Sequence, residues 1–220
     1  MKLFRRKVKT VPTEPQTRKA RLWAHFKSLA STVTFVWLFT SGVAQATMVP
    51  TPSMVPTILV GDHFFLDKVA FPGNYPTAIQ PYLPERTIRR GDIVAFFSPE
   101  DPELRLVKRV IALPGDEFEI RAGEVYIDGK KLDDEHAMHR LPSDLWRSQN
   151  VAARTIPPDS FFMMGDNRDG SYDGRYWGFL PRDNVRGRPL LVYYSFDGTT
   201  YKPLPFFTSI RWGRIFTMPQ

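Results

Sequence analysis

The feature that most constrains this chain is a long uncharged stretch, since no charged residue occurs between Lys27 and Asp62. Its first part, residues 28–48, combines a strongly apolar centre with small and hydroxylated flanks. At about 1.5 Å rise per residue, a helix of this length spans roughly the 30 Å hydrocarbon core of a bilayer. We therefore predict one transmembrane helix over residues 28–48.

The charge distribution predicts how this helix is oriented. Residues 1–27 contain nine basic residues and one acidic residue, a net charge of +8, whereas the whole chain carries +7. Residues 28–220 are therefore close to neutral, at −1, which argues against nucleic acid as a partner. Basic residues flank transmembrane helices on the cytoplasmic side, so we predict a cytoplasmic tail over 1–27 and an extracytoplasmic domain over 49–220.

Two other interpretations of residues 28–48 stay open. A buried core helix would be expected to have a polar face with charged residues, and this segment has none. A cleaved signal peptide is suggested by Ala44–Gln45–Ala46, which resembles a small-residue cleavage site. The long basic tail and long apolar region favour a retained anchor.

Beyond residue 49, short apolar runs alternate with turn residues, which is typical of β-structure. We predict a mainly β domain of antiparallel sheets, with Asp128–Gly129 as a hairpin turn. Residues 130–158 are polar and irregular, and we expect an accessory insertion there. The predicted strands are 58–60, 63–66, 93–97, 104–113, 118–120, 124–127, 160–164 and 189–195.

The familiar catalytic motifs are missing from the sequence. It has no cysteine, and His136 and His139 lack the spacing and the glutamate of a helical zinc-protease motif. The segment 165–170 lacks the alternating acidic residues of a calcium-binding EF-hand loop. No nucleophile elbow or phosphate-binding loop occurs, and a histidine-based serine triad would have to use His63. We expect neither a metal nor a cofactor.

Ser53 lies a few residues beyond the predicted anchor, in a segment with prolines at positions 50, 52 and 56. Proline fixes φ, so this serine is held in a restricted backbone, as suits a nucleophile. Serine in a proline-rich segment is, however, more often part of a plain linker.

Lys108 is the second candidate. Strand alternation places Lys108 on the same face as Leu106 and Val110, with Arg109 on the other face. Burial on an apolar face lowers the pKa of a lysine, and a neutral amine can take the proton of a serine hydroxyl. The alternative is that Lys108 extends its ammonium to water from a strand edge.

Four motifs decide between these alternatives. In chain order they are Ser53–Met–Val–Pro–Thr57, Arg90–Gly–Asp–Ile–Val94, Lys108–Arg109 leading to Leu113–Pro–Gly–Asp116, and Met164–Gly–Asp–Asn–Arg–Asp169 followed by Ser171 and Arg175–Tyr–Trp–Gly178. Together they closely resemble bacterial type I signal peptidase, the leader peptidase family, over roughly residues 49–195. The last block is the most specific of the four.

The resemblance implies a role for each matching residue. Ser53 matches the nucleophile and Lys108 the general base. Ser171 matches the serine that orients the lysine amine, and Thr51 matches a hydroxyl that joins the Ser53 N–H in the oxyanion hole. Pro52 stands where the family often has a small residue. Three further positions match charged residues that brace the site as structural support, namely Asp166, Asp173 and Arg175.

The resemblance also implies the substrate and the location. The enzyme would be a single-pass protein of the bacterial inner membrane that cleaves signal peptides from exported preproteins after Ala-X-Ala-like sites. Its partners would be these signal peptides, the lipid bilayer and the secretion machinery. The small pockets for alanine would be formed by Val49, Pro50, Met54, Ile58, Leu106 and Val107.

Two rival functions remain at this stage. A related peptidase that matures pilins or conjugation proteins would use the same chemistry on other substrates. A membrane-tethered β-domain that only binds partners would need neither Ser53 nor Lys108.

Overall fold

The structure is a computed structural model that describes residues 18–42, 44–69, 71, 74–76, 78–82, 86–146, 149–198 and 203–219. The chain divides into two units, Met1–Phe39 and Thr40–Gln220. Most of the predicted basic tail, residues 1–17, lies outside the described residues.

The first helix, α1, runs from Arg18 to Gly42, so its bounds differ from the predicted 28–48 at both ends. It begins earlier because Ala, Leu, Lys and Arg are good helix formers, and it ends at a glycine, which is a poor one. The last predicted residues, Ala44–Met48, instead form a strand. Large apolar side chains of α1, among them Trp23, Phe26 and Trp37, are more than half exposed. Among the helices that the structure describes, none is both long enough and apolar enough to cross a membrane.

After α1, the described part of the chain contains eleven strands, which form two antiparallel sheets. The larger sheet has the order β1-β2-β11-β3-β4-β9-β10 and the smaller has the order β7-β6-β5-β8. This arrangement confirms the predicted mainly β, antiparallel core. The strands are β1 (Ala44–Met48), β2 (Asp62–Asp67), β3 (Ile93–Phe97), β4 (Arg105–Ala112), β5 (Glu117–Arg121), β6 (Glu124–Ile127), β7 (Lys130–Lys131), β8 (Val151–Thr155), β9 (Ser160–Met164), β10 (Phe179–Pro181) and β11 (Val185–Ser195).

The remaining elements are short. The helices α2, α3 and α4 have four residues each, Ser143–Trp146, Gly174–Trp177 and Pro205–Thr208. Single 3₁₀ turns occur at Pro52–Met54, Gln80–Tyr82, Arg168–Gly170, Arg182–Asn184 and Trp212–Arg214.

Both faces of the larger sheet are covered, which explains why its central strands are almost continuously apolar. In β3, Val94 and Phe96 pack into one hydrophobic cluster, whereas Ile93 and Ala95 pack into another. A third cluster lies beneath the smaller sheet and includes Phe118, whose ring stacks on Phe162 at 3.9 Å between centroids. The core thus fixes β4 between β3 and β9.

Strand predictions succeeded where the apolar pattern was clear. The bounds of β3 and β9 agree with the prediction. The hairpin turn at Asp128–Gly129 is confirmed, because both residues have positive φ, 51° and 73°, and the turn joins β6 to β7.

Two segments differ from expectation. Residues 58–60 are not a strand: Ile58 donates its N–H to the Met54 carbonyl in a turn. Residues 130–158 are not irregular throughout, because they supply β7, α2 and β8. The side chains of β7 and β8 are largely exposed. These strands therefore lack the alternation of apolar and polar residues by which a strand is predicted from sequence.

Candidate active site

The candidate site is built around a contact between Ser53 and Lys108. The Lys108 Nζ donates a hydrogen bond to the Ser53 Oγ at 2.6 Å. Both residues are buried, with 5% and 2% of their surface exposed. Ser53 sits in the Pro52–Met54 turn and Lys108 in the middle of β4. A serine hydroxyl and an amine at this distance can exchange a proton.

Burial changes the chemistry of the lysine. The pKa of Lys108 falls from its usual 10.5 to about 8, chiefly because burial penalises the charged ammonium. The carboxylates of Asp173 and Asp166 oppose this shift, whereas the Arg175 guanidinium adds to it. A minor fraction of the amine is therefore neutral near pH 7. The 2% exposure shows that the side chain does not extend to water from a strand edge.

Asn167 holds the turn that carries Ser53. Its backbone N–H donates to the Ser53 carbonyl and its Nδ2 to the Pro52 carbonyl, each at 3.1 Å. These bonds leave the Ser53 Oγ directed at the lysine while its backbone is tied to the 165–170 loop. Asn167 is not among the predicted site residues, although it lies inside the most specific motif block.

A buried ion pair lies next to this turn. Arg109 donates from Nε and Nη2 to the two oxygens of Asp166, at 2.8 and 2.7 Å. The same carboxylate accepts from the Thr57 hydroxyl at 2.5 Å, and Arg109 Nη1 donates to the Gly91 carbonyl at 2.7 Å. The pair thus connects β4, the 165–170 loop and the segment after Ser53. Sequence alternation had placed Arg109 on the face opposite Lys108 but had assigned it no partner.

Asp173 and Arg175 form a second brace. Asp173, at the N-terminus of α3, is fully buried and accepts from the Gly165 N–H at 3.0 Å. Arg175 donates to both oxygens of this carboxylate, each at 2.9 Å, and to the Arg168 carbonyl. Asp166, Asp173 and Arg175 are thus all in ion pairs, and their role as structural support of the site stays a prediction.

Two hydroxyl groups were expected beside the dyad. The Thr51 Oγ1 lies 3.3 Å from the Ser53 Oγ, and Thr51 is exposed. Ser171 is buried, and a Cβ added to Gly165 would overlap both its Oγ and the Ser53 carbonyl oxygen. The expected bond from Ser171 to the lysine amine is not formed: in the described part of the chain its Oγ has no hydrogen-bond partner. The Lys108 amine bonds to Ser53 instead.

The six residues expected to form the substrate pockets do not all share one environment. Val49, Met54 and Ile58 are buried in one hydrophobic cluster, against which Val107 packs. Leu106 packs against the cluster on the other face of the sheet, because neighbouring residues of a strand point to opposite sides. Pro50 is exposed.

A metal site would require several histidine or carboxylate side chains close together. Among the side chains that the structure describes, no three of His, Asp and Glu cluster in a way that could hold a metal ion. His139 lies 3.3 Å from the Asp169 carboxylate, and His63 packs among Tyr194 and Phe196.

This chain is similar to known proteins over most of its length. A family model described as signal peptidase, peptidase S26, matches residues 22–194. A signal peptidase I from Leptolyngbya laminosa is 32% identical over 196 residues, which cover 84% of this chain and 88% of that protein. A probable signal peptidase I-1 from Synechocystis is 33% identical over 180 residues, 79% of this chain and 76% of that protein. A crystal structure of a signal peptidase I from Enterococcus faecalis V583 is 32% identical, with a TM-score of 0.38, and covers 47% of this chain and 97% of its own.

The Arg109–Asp166 pair leads to a stability prediction. We expect Arg109→Met to lower the free energy of unfolding by about 3–5 kcal/mol, because it leaves the Asp166 carboxylate buried without its cation. The matched control is Arg90→Met, whose partner Asp116 is partly exposed, and it should lose about 1 kcal/mol or less. Urea unfolding of the full chain in detergent measures both. Adding Asp166→Asn to Arg109→Met should recover part of the loss, and equal losses in the two single variants would contradict this account.

Proposed function

This chain belongs to the signal peptidase family, peptidase S26, and from that premise we propose that it removes signal peptides from exported preproteins by means of Ser53 and Lys108. Family membership makes it a serine peptidase, hence a hydrolase. The observation that carries the assignment of the two residues is the 2.6 Å contact between a buried serine hydroxyl and a buried lysine amine.

The proposed reaction begins with proton transfer. The neutral Lys108 amine takes the proton of the Ser53 hydroxyl as the Oγ attacks the carbonyl carbon of the scissile peptide. The resulting ammonium then protonates the departing amine, which belongs to the mature protein. A water molecule, deprotonated by the same amine, attacks the acyl carbon. The bond from this carbon to the Ser53 Oγ breaks, the Lys108 ammonium returns its proton to the Oγ, and the signal peptide is released with a new carboxylate.

Charge develops on the substrate carbonyl oxygen during both attacks. We assign its stabilisation to the backbone N–H of Ser53 and the hydroxyl of Thr51, since the Thr51 Oγ1 lies 3.3 Å from the nucleophile. One such donor can contribute about 3–4 kcal/mol to the stability of the transition state. Thr51 is exposed, so bound substrate would have to exclude water from this donor.

Ser171 is proposed to orient the lysine amine once Ser53 is acylated. Its buried Oγ, without a hydrogen-bond partner among the described residues, has unused hydrogen-bonding capacity. The overlap that a side chain at Gly165 would have with both Ser171 and Ser53 supports their closeness.

The substrate is proposed to bind as an added strand. β9 pairs with β4 only from Arg109 onwards, so in the described chain residues 105–108 of β4 have a strand partner on one side, β3. An extended peptide that pairs with this edge would have its scissile bond near Ser53. The buried cluster of Val49, Met54 and Ile58, with Val107, would accept alanine and exclude larger side chains, as an Ala-X-Ala-like site requires. Pro50 and Leu106, the other two residues expected from the resemblance, lie outside this cluster.

We propose that α1 anchors the enzyme in the bacterial inner membrane, with residues 1–27 in the cytoplasm and the β-domain outside. The uncharged part of α1, residues 28–42, is about 22 Å long as a helix, which is shorter than the hydrocarbon core. Insertion therefore requires Lys27 to extend its ammonium to the interface or the bilayer to thin locally. At the membrane the enzyme would meet preproteins as the secretion machinery delivers them.

Removing either member of the dyad should abolish cleavage. We expect Ser53→Ala and Lys108→Met each to lower kcat/KM at least about 10³-fold on a preprotein with an Ala-X-Ala site, because nucleophile and base act as a unit. The controls Ser98→Ala, a buried serine elsewhere, and Lys131→Met, a lysine paired with Glu124, should keep full activity.

Retained cleavage in Ser53→Ala or Lys108→Met would refute the dyad. Wild-type protein that cleaves no precursor of any kind would favour a domain that only binds partners. Wild-type enzyme that cleaves pilin-type precursors but no Ala-X-Ala preprotein would favour a different processing peptidase.

The lowered lysine pKa predicts the pH dependence of catalysis. Below a pKa of about 8 the amine is protonated and cannot act as a base, so kcat/KM should rise about tenfold per pH unit. Above it the amine is neutral and kcat/KM should level off. A pH–rate profile between pH 6 and 10, with far-UV circular dichroism at each pH to confirm folding, measures this. A midpoint near the usual lysine value would contradict the buried-base mechanism.

The anchor predicts a topology. We expect alkaline phosphatase fused after residue 220 of the full chain to be active. This reporter folds only outside the cytoplasm, where the β-domain is proposed to lie. Val33→Lys with Val36→Lys should abolish that activity, since two ammonium groups in the hydrocarbon core oppose insertion. A cytoplasmic reporter at the same site that is active in the wild type would overturn the orientation.

A further inference from the structure

A small cavity beside the catalytic strand has an unusual lining. It has a volume of about 210 Å³ and lies where β2, β3, β4 and β11 approach one another. Leu66 and Ala95 contribute apolar surface, and three cationic side chains, Lys68, Arg105 and Arg186, surround it. Within the part of the chain that the structure describes, no carboxylate lines this cavity.

The three cations are held close together by the fold. The guanidinium groups of Arg105 and Arg186 both lie over the Phe97 ring, 5.3 and 4.9 Å from its centroid. The Asn74 Nδ2 donates to the carbonyls of Lys68 and Arg186, at 3.3 and 2.7 Å, and so ties the two backbones together. The cluster is therefore part of the folded framework, not a chance meeting of flexible side chains.

Mutual repulsion acts within this cluster. The pKa of Lys68 is lowered, first by burial and then by the charge of Arg105. Burial also lowers the pKa of Arg186. The charge of Asp183 raises this pKa, and the charge of Arg105 lowers it further. Arg186 uses its Nη1 on the Asp183 and Val185 carbonyls. A bound anion would relieve the repulsion.

The position of the cavity indicates which anion. Gln45 also lines it, three residues beyond the end of α1, and three residues of chain reach at most about 10 Å. If α1 is the anchor, as proposed above, the cavity lies close to the headgroup layer of the bilayer. Phosphate diesters are the fixed anions of that layer, and guanidinium groups match phosphate oxygens in a two-point geometry.

We propose that the cavity formed around Lys68, Arg105 and Arg186 binds the phosphate group of an acidic phospholipid. This inference rests on the anchoring part of the proposed function. Bound lipid would hold the start of β4 at the membrane surface, three residues before Lys108. The catalytic strand β4 would then lie at a fixed distance from the membrane surface, where the cleavage site of a membrane-inserted substrate leaves the bilayer.

Lipid binding can be measured on the full chain in neutral detergent micelles by native mass spectrometry. The probes are dihexanoylphosphatidylglycerol, dihexanoylphosphatidylcholine and inorganic phosphate. We expect the wild type to bind one phosphatidylglycerol in preference to phosphatidylcholine. The cavity variant, Lys68→Gln with Arg186→Gln, should weaken this binding about thirtyfold. The charge-matched control is Lys130→Gln with Arg154→Gln, two exposed cations of the smaller sheet, and it should bind like the wild type.

Three results would overturn the proposal. The first is equal binding of phosphatidylglycerol by the cavity variant and the wild type, at equal thermal stability. The second is displacement of the lipid by an equal concentration of inorganic phosphate, which would indicate a site for free phosphate. The third is a cavity variant that keeps the lipid preference of the wild type but no longer prefers peptides with Asp upstream of the cleavage site. This result would indicate a substrate subsite.

The proposed function and this inference can fail separately. Ser53→Ala should bind phosphatidylglycerol as the wild type does, because Ser53 does not line the cavity. The cavity variant should cleave peptide substrates in lipid-free micelles at the wild-type rate. A loss of cleavage there would show that Lys68 or Arg186 serves catalysis and would contradict a lipid-only role.

Discussion

The burial of one amine is the constraint on which the rest of this structure depends. Lys108 can serve as a base only if its ammonium form is disfavoured, and this requires the removal of water around the side chain. The fold achieves this by placing Lys108 in a central strand of a sheet that is covered on both faces, with the Ser53 hydroxyl as its hydrogen-bond partner. A solvated lysine would keep its usual pKa and its proton.

Keeping that amine neutral depends on how the nearby charges are arranged. Asp166 and Asp173 both favour the ammonium form of Lys108, and either of them, if unpaired, would favour it more strongly. Each is instead paired with its own arginine, Arg109 or Arg175, in two-point contact. These ion pairs therefore do more than brace loops, because they satisfy carboxylates that would otherwise draw a proton to the lysine.

The same pairs explain why one motif block has so many side chains in buried hydrogen bonds. Residues 165–175 supply Asn167 to the Ser53 turn, Asp166 to Arg109, and Asp173 to the Gly165 N–H. Close packing leaves no room for a Cβ at Gly165, which lies between Ser171 and the Ser53 carbonyl. A short loop can satisfy so many partners only if nearly every side chain in it has a fixed place.

The sequence by itself determined the antiparallel β character, the central strands and the selection of Ser53 and Lys108. Alternation in a strand and motif order are properties of the chain, and they do not depend on which segments meet. Only the tertiary structure decided that Asn167 and Arg109 bond to the segment around Ser53 and that the Ser171 Oγ has no hydrogen-bond partner among the described residues. It also decided that 44–48 pairs with β2 instead of continuing a helix. The physical reason is sequence distance: Ser53 and Lys108 are 55 residues apart, and Arg109 and Asp166 are 57 apart. Such contacts exist only after sheet register has been set by the burial of both faces, which no local pattern encodes.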